Sequence, residues 1–128
     1  HVADAFDLRS QTKFAHWNVK GREFYSLHKL FDKLAGLLEG HVDQMAERVT
    51  ALGGVATGTV RQAAASSHVP EFPAGVFKSM DVVAALADRY AALGRSLREA
   101  IDRADELGDK DTADLFTEVS RDVDQSLY

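Results

Sequence analysis

The sequence predicts an all-α protein: a four-helix bundle with a short extra helix in the long connection between the second and third helices. Three observations predict it. Apolar residues recur at three- and four-residue steps through most of the chain. No segment alternates apolar and polar residues with period two over a useful length. Glycine and proline gather at a few points and divide the chain into four long stretches. A chain of 128 residues, 45% of them apolar, has the size and composition of one globular domain, here residues 1–128.

The elements follow in order. "VADAFDLRSQTKFAHWNV" carries a helical apolar pattern and stops at Gly21, a residue suited to closing a helix. From about Phe24 to Leu52 the positions Leu27, Leu30, Phe31, Leu34, Leu38, Met45, Val49 and Leu52 form one side of a long amphipathic helix, ended by Gly53-Gly54. Residues 53–79 read as irregular, with "TVRQAAASS" as a short helix and "HVPEFP" as a proline-bounded loop. Ser79 is a good N-cap for a third long helix to about Glu106, with Val83, Leu86, Tyr90, Leu93, Leu97 and Ile101 inward. Gly108 breaks it. Asp109 or Asp111 starts the last helix, which carries Leu115, Phe116, Val119, Val123 and Leu127.

Composition excludes several function classes. No run of 18 apolar residues is present, so no membrane-spanning helix is expected, and no signal-peptide pattern opens the chain. The absence of cysteine rules out disulfides, zinc–cysteine sites and thiol catalysis, and leans towards a cytoplasmic home. The first residue is His1 and the last, Tyr128, lies inside an apolar-periodic segment, so the natural protein is expected to extend past both ends. The net charge is −5, but residues 99–124 hold ten acids and three bases, a local −7 that leaves the rest at +2. Such a body does not suit nucleic acid. The acidic segment either attracts cations or is a solvated helix face with acidic helix starts.

The second helix carries the chemistry. His28/Asp32 and Asp43/Glu47 are both spaced i,i+4, so each pair converges on a shared point. With His28 at zero, Asp32 lies at about 40°, Asp43 at about 60° and Glu47 at about 100° around the axis. All four share one stripe. Asp32 and Asp43 are nevertheless about 16 Å apart along the helix, too far to ligate one ion. A two-fold axis between Leu37 and Leu38 removes the difficulty: against an antiparallel second copy, His28 meets Glu47 and Asp32 meets Asp43. Gly36 and Gly40 fall on or beside the stripe, where another backbone approaches. Histidine with carboxylates and no thiolate suits iron, manganese or zinc. His16, at the end of the first helix, adds a second imidazole if that end packs near the start of the second. A lone i,i+4 His/Asp pair is commonly a surface hydrogen bond. The shared stripe and midpoint add weight to the metal reading without closing that alternative. His41 and His68 have no comparable partners and read as ordinary histidines. Trp17 reads as a core residue before a redox-active one.

"AHWNVKGREFYSLHKLFD", followed by "HVDQMAERVTALGGVATGT", resembles the signature of the Dps mini-ferritins, DNA-binding proteins of starved cells. The likeness continues through "ADRYA" and "DTADLFTEVSRDVDQSLY". It implies a ferritin-like fold and a ferroxidase site shared between two subunits. His16, His28 and Asp32 would come from one chain, Asp43 and Glu47 from its two-fold mate. No Glu in the chain has a His three residues later, which disfavours the within-subunit ferritin centre. The resemblance gives Trp17 a place beside the site, intercepting reactive intermediates. It implies a hollow dodecamer that takes ferrous iron as substrate, oxidises it with hydrogen peroxide and keeps a ferric mineral. Asp114 matches a pore-lining aspartate, with Asp105, Asp109 and Asp111 as weaker candidates for iron admission. Relatives bind DNA through lysine-rich tails; none is seen here, so DNA is expected only through segments outside this chain. The expected function is therefore ferroxidase and iron storage that protects DNA from oxidative damage, in the cytoplasm or at the nucleoid. The alternative is a non-enzymatic, DNA-condensing nucleoid protein. A bare bundle that only mediates association is a third reading.

Overall fold

The computed structural model describes residues 1–128. Four long helices, α1 (Val2–Asn18), α2 (Phe24–Ala51), α4 (Ser79–Glu106) and α5 (Lys110–Leu127), form the bundle, and the short α3 (Val60–Ser66) lies in the connection between α2 and α4. The predicted architecture and the predicted extra helix are both present. No helix is long and apolar enough to cross a membrane.

Helices α1 and α2 pack as one antiparallel pair and α4 and α5 as another. A clasp ties the two pairs at one end. Lys20 N–H donates to Phe77 O at 2.8 Å, and Ser79 N–H donates to Lys20 O at 2.9 Å. Ser79 Oγ donates to Glu23 Oε2 at 2.5 Å. The starts of α2 and α4 therefore lie side by side, and the two helices run the same way. That direction forces the connection to travel the length of the bundle, which is why 52–78 is long and carries its own helix.

Two boundaries differ from the sequence reading. Helix α1 ends at Asn18, with Val19 extended at φ −59° and ψ 136°, and Gly21 lies beyond it in the turn. Gly21 adopts φ +129°, and a Cβ there would sit 2.7 Å from Ser79 Oγ. Both the backbone and the space require glycine. Ser79 is the first helical residue, and Lys78 takes the cap position without a side-chain bond. The hydroxyl serves Glu23 instead, a partner no local pattern reveals. At the far end Asp109 caps α5, accepting Thr112 N–H at 3.1 Å, and Arg48 of α2 donates to Asp109 Oδ1 at 2.7 Å.

The core gathers Leu8, Phe31, Leu38, Leu86, Leu93, Leu97, Val119 and Val123. Each such side chain contributes roughly 1.5–3 kcal/mol through burial. Leu30, Leu52 and Leu127, which the periodicity places inward, are exposed. Leu52 follows the last helical residue, Leu127 is the last of α5, and Leu30 sits a quarter-turn from buried Phe31 on the outer side of α2. The buried strip of α1 is partly polar. Thr12 donates to Leu8 O at 2.7 Å and meets the Tyr90 hydroxyl at 3.2 Å; burial pushes that phenol up to about 12. Buried Arg89 donates to Gln11 Oε1 at 3.1 Å and to the Glu71 carbonyl, pinning the long connection onto α1.

Candidate metal centre

The antiparallel register of α1 and α2 brings His16 onto His28. The rings stack with centroids 3.7 Å apart and planes 19° from parallel. His16 Nδ1 lies 2.7 Å from the His28 carbonyl oxygen, and His28 Nδ1 lies 2.9 Å from that of His16. A carbonyl oxygen only accepts, so both Nδ1 atoms carry the proton. Each ring thereby keeps a lone pair on Nε2, the atom a metal would take. Both side chains are half-buried. The packing that the sequence reading required of His16 is present.

Asp32 stands one turn along α2 and is exposed. Lys13 of α1 donates to its Oδ1. That hydrogen bond and the ammonium charge hold the carboxyl below the usual carboxylate range, and His16 and His28 add smaller effects in the same direction. Asp43 and Glu47, at the other end of the stripe, are exposed, and the ion pairs of α2 are made instead by Asp32 and Glu39 with α1 and by His41 and Arg48 with residues of α5 and its cap. No three metal-capable side chains converge within the single chain. The structure thus joins the two histidines, sets Asp32 beside them, and leaves Asp43 and Glu47 apart.

Between the two groups Gly36 and Gly40 are exposed, and a Cβ at either would meet nothing within 4 Å. Nothing inside the chain demands glycine there. Trp17 is 67% exposed, which overturns its reading as a core residue. The helix ends one residue later, so the indole follows His16 out to the surface rather than into the bundle. His41 is buried between α2 and α5. Its Nδ1 lies 3.0 Å from Gln44 Oε1, and its Nε2 lies 2.9 Å from Asp122 Oδ2, off the line of a good hydrogen bond. His68 Nδ1 lies 3.4 Å from Asp4 Oδ1. Both histidines have acidic neighbours, from helices far away in sequence.

The acidic residues near the α4–α5 turn divide by partner. Asp105 pairs with Lys110 at 2.6 Å. Asp109 is engaged by Thr112 and Arg48; the Thr112 hydroxyl and N–H, then Arg48, hold its carboxyl below the usual range. Asp111 is 4.0 Å from Arg48 and largely in solvent. Asp114 is exposed on α5.

Comparison with known proteins now bears on this arrangement. The family model of the ferritin-like domain matches residues 1–128. A "DNA protection during starvation protein" of Agrobacterium fabrum is 42% identical over 127 residues, covering 99% of this chain and 78% of that protein. The crystal structure of Dps from Staphylococcus aureus superposes with a TM-score of 0.91 at 31% identity, over 97% of this chain and 83% of that one. The chain belongs to the Dps family of mini-ferritins. DpsC from Streptomyces coelicolor is also similar, with a TM-score of 0.92 at 36% identity, covering 98% of this chain and 74% of that one. In this Dps chain the residue that sequence reasoning missed is Lys13. Its signal was available: three residues before His16, it lies on the same face of α1.

Proposed function

We propose that the chain is the subunit of a ferroxidase that oxidises ferrous iron with hydrogen peroxide and stores the ferric product inside a hollow dodecamer. Peroxide takes two electrons, one from each of two ferrous ions, and with two protons leaves as water. Consuming both reactants together keeps hydroxyl radical away from DNA. Iron here is substrate and cargo. One observation carries the reading: at one end of an exposed stripe of α2, His28 stacks on His16 of α1 beside the Asp32 carboxylate, and the other end of the stripe carries bare carboxylates. His16 and His28 would offer neutral Nε2 donors to ferrous iron. Asp32, with Asp43 and Glu47 of a second copy, would supply the negative charge that favours the ferric state. Trp17, exposed beside His16, would be the nearest oxidisable ring. Exposed Asp114 is the leading candidate for drawing ferrous ions inward, with Asp111 next; Asp105 and Asp109 are already paired.

The test is complementation. Asp32→Ala and Glu47→Ala chains each damage every site when assembled alone. Refolded together, they form hybrid pairs in which one site is intact and the other doubly damaged, so about a quarter of all sites should recover. Peroxide-driven ferrous oxidation should reappear on mixing. No recovery in mixtures shown to be hybrid would reject the two-chain site.

A further inference from the structure

On α1 and α2 the register pairs His16 with His28 and, one turn further on, Lys13 with Asp32. The Lys13 side chain is 32% exposed and that of Asp32 is 53% exposed. Surface ion pairs of this kind contribute little to stability. The placement of this one is what matters, because it occupies an oxygen of a proposed iron ligand. An ammonium has three donors and no acceptor, so it cannot itself ligate a metal. Asp32 Oδ2 is left open, but a dication there would face the ammonium across a single carboxylate group. Like-charge repulsion opposes that arrangement.

We propose that Lys13 is a resident counter-cation of the iron centre, holding Asp32 in the metal-free subunit and yielding it only when a divalent ion displaces the ammonium. The inference rests on the ferroxidase reading above. Three carboxylates would otherwise meet unbalanced at the shared site, and Lys13 offsets one of them. It also sets a threshold. An alkali cation gains nothing over the ammonium it would replace. A transition-metal dication gains a second charge and two imidazole Nε2 donors. Lys13 thus acts on specificity and affinity, as a positioning residue for Asp32.

The experiment titrates the assembled protein with Co2+, followed by its visible absorption, in the wild type, Lys13→Met, Lys13→Gln, Lys13→Arg and His28→Ala. Both neutral variants are expected to bind Co2+ about two- to fivefold tighter, the scale of one such ion pair. They are also expected to oxidise ferrous iron faster when iron is limiting. Lys13→Arg keeps the charge and is expected to match the wild type, which a loss of mere packing at this position would not explain. Unchanged or weaker Co2+ binding in the neutral variants, with binding still lost in His28→Ala, overturns the role of Lys13 and leaves the ferroxidase reading standing. Co2+ binding indifferent to His28→Ala overturns the site itself, and this inference with it.

Discussion

The two ends of α2 are built in opposite ways. At the start, α1 lies across the helix, and His28, Asp32, His16 and Lys13 hold one another in place through backbone carbonyls and an ion pair. At the far end, Asp43 and Glu47 project into solvent. The first group is organised by its own chain, and its imidazole tautomers are set before any metal arrives. The second has only helix spacing to order it. The contrast teaches that one half of the proposed centre can be judged in the single chain, while the other half gains a geometry only from a second copy.

The largest expected effect comes from keeping both halves and preventing their meeting. Gly36→Leu places a bulky side chain on the stripe where the chain itself leaves open space. Circular dichroism should show an unchanged or slightly more stable helix, since glycine costs roughly 1 kcal/mol in a helix interior. Size exclusion should show loss of the assembly, and ferrous oxidation should fall with it. A normal shell with normal activity would remove the close approach of two α2 helices.

Breaking the organised half comes next. His28→Ala should lower peroxide-driven ferrous oxidation by about 10- to 100-fold or more, the range in which even supporting residues of metal sites act. His16→Ala should act in the same direction. Phe31, Ala35 and Leu38 stay in the core, so the shell should still assemble, as light scattering would show. Full activity in both variants with intact shells would sink the assignment.

A smaller effect is expected beneath the bare half. His41 lies two residues before Asp43 but faces α5, with Asp122 and Gln44 as its neighbours. His41→Ala should leave the activity of assembled protein unchanged and destabilise the subunit by about 1–3 kcal/mol, because removing the buried imidazole leaves a cavity between α2 and α5. Thermal unfolding should show a lower Tm. Loss of activity at an unchanged Tm would mean that His41 belongs to the centre.

The smallest effect concerns supply. Asp114→Asn is expected to slow oxidation a few-fold when iron is limiting and salt is low, with no change at saturating iron. The difference should vanish near 1 M salt, where the Debye length is about 3 Å. Equal rates at low salt and limiting iron would remove Asp114 from the path of iron.

Much of this molecule was legible in the chain. The four long helices follow from apolar spacing, and the α2 stripe follows from counting residues around an axis, because both depend only on helix geometry within one segment. Helix α1 was harder to read. Its buried strip includes Gln11 and Thr12, whose polarity is satisfied by Arg89, Tyr90 and the Leu8 carbonyl. Trp17 was misread because it falls between the core positions Ala15 and Val19, on the outward side of the last turn of α1.

By itself, then, the sequence determined what lies within reach of one helix: the amphipathic faces, the turn at Gly108, and the paired ligands at i,i+4 with their shared midpoint. Only the tertiary structure decided which groups from different helices meet. It stacked His16 on His28, fixed both Nδ1 protons, set Lys13 on Asp32, and gave His41 an acidic neighbour. The physical reason is that a 3.6-residue period sets angles within a helix but says nothing of how far one helix slides or rotates against another. That relative register comes from packing the whole core and from the clasp of Lys20, Glu23, Phe77 and Ser79.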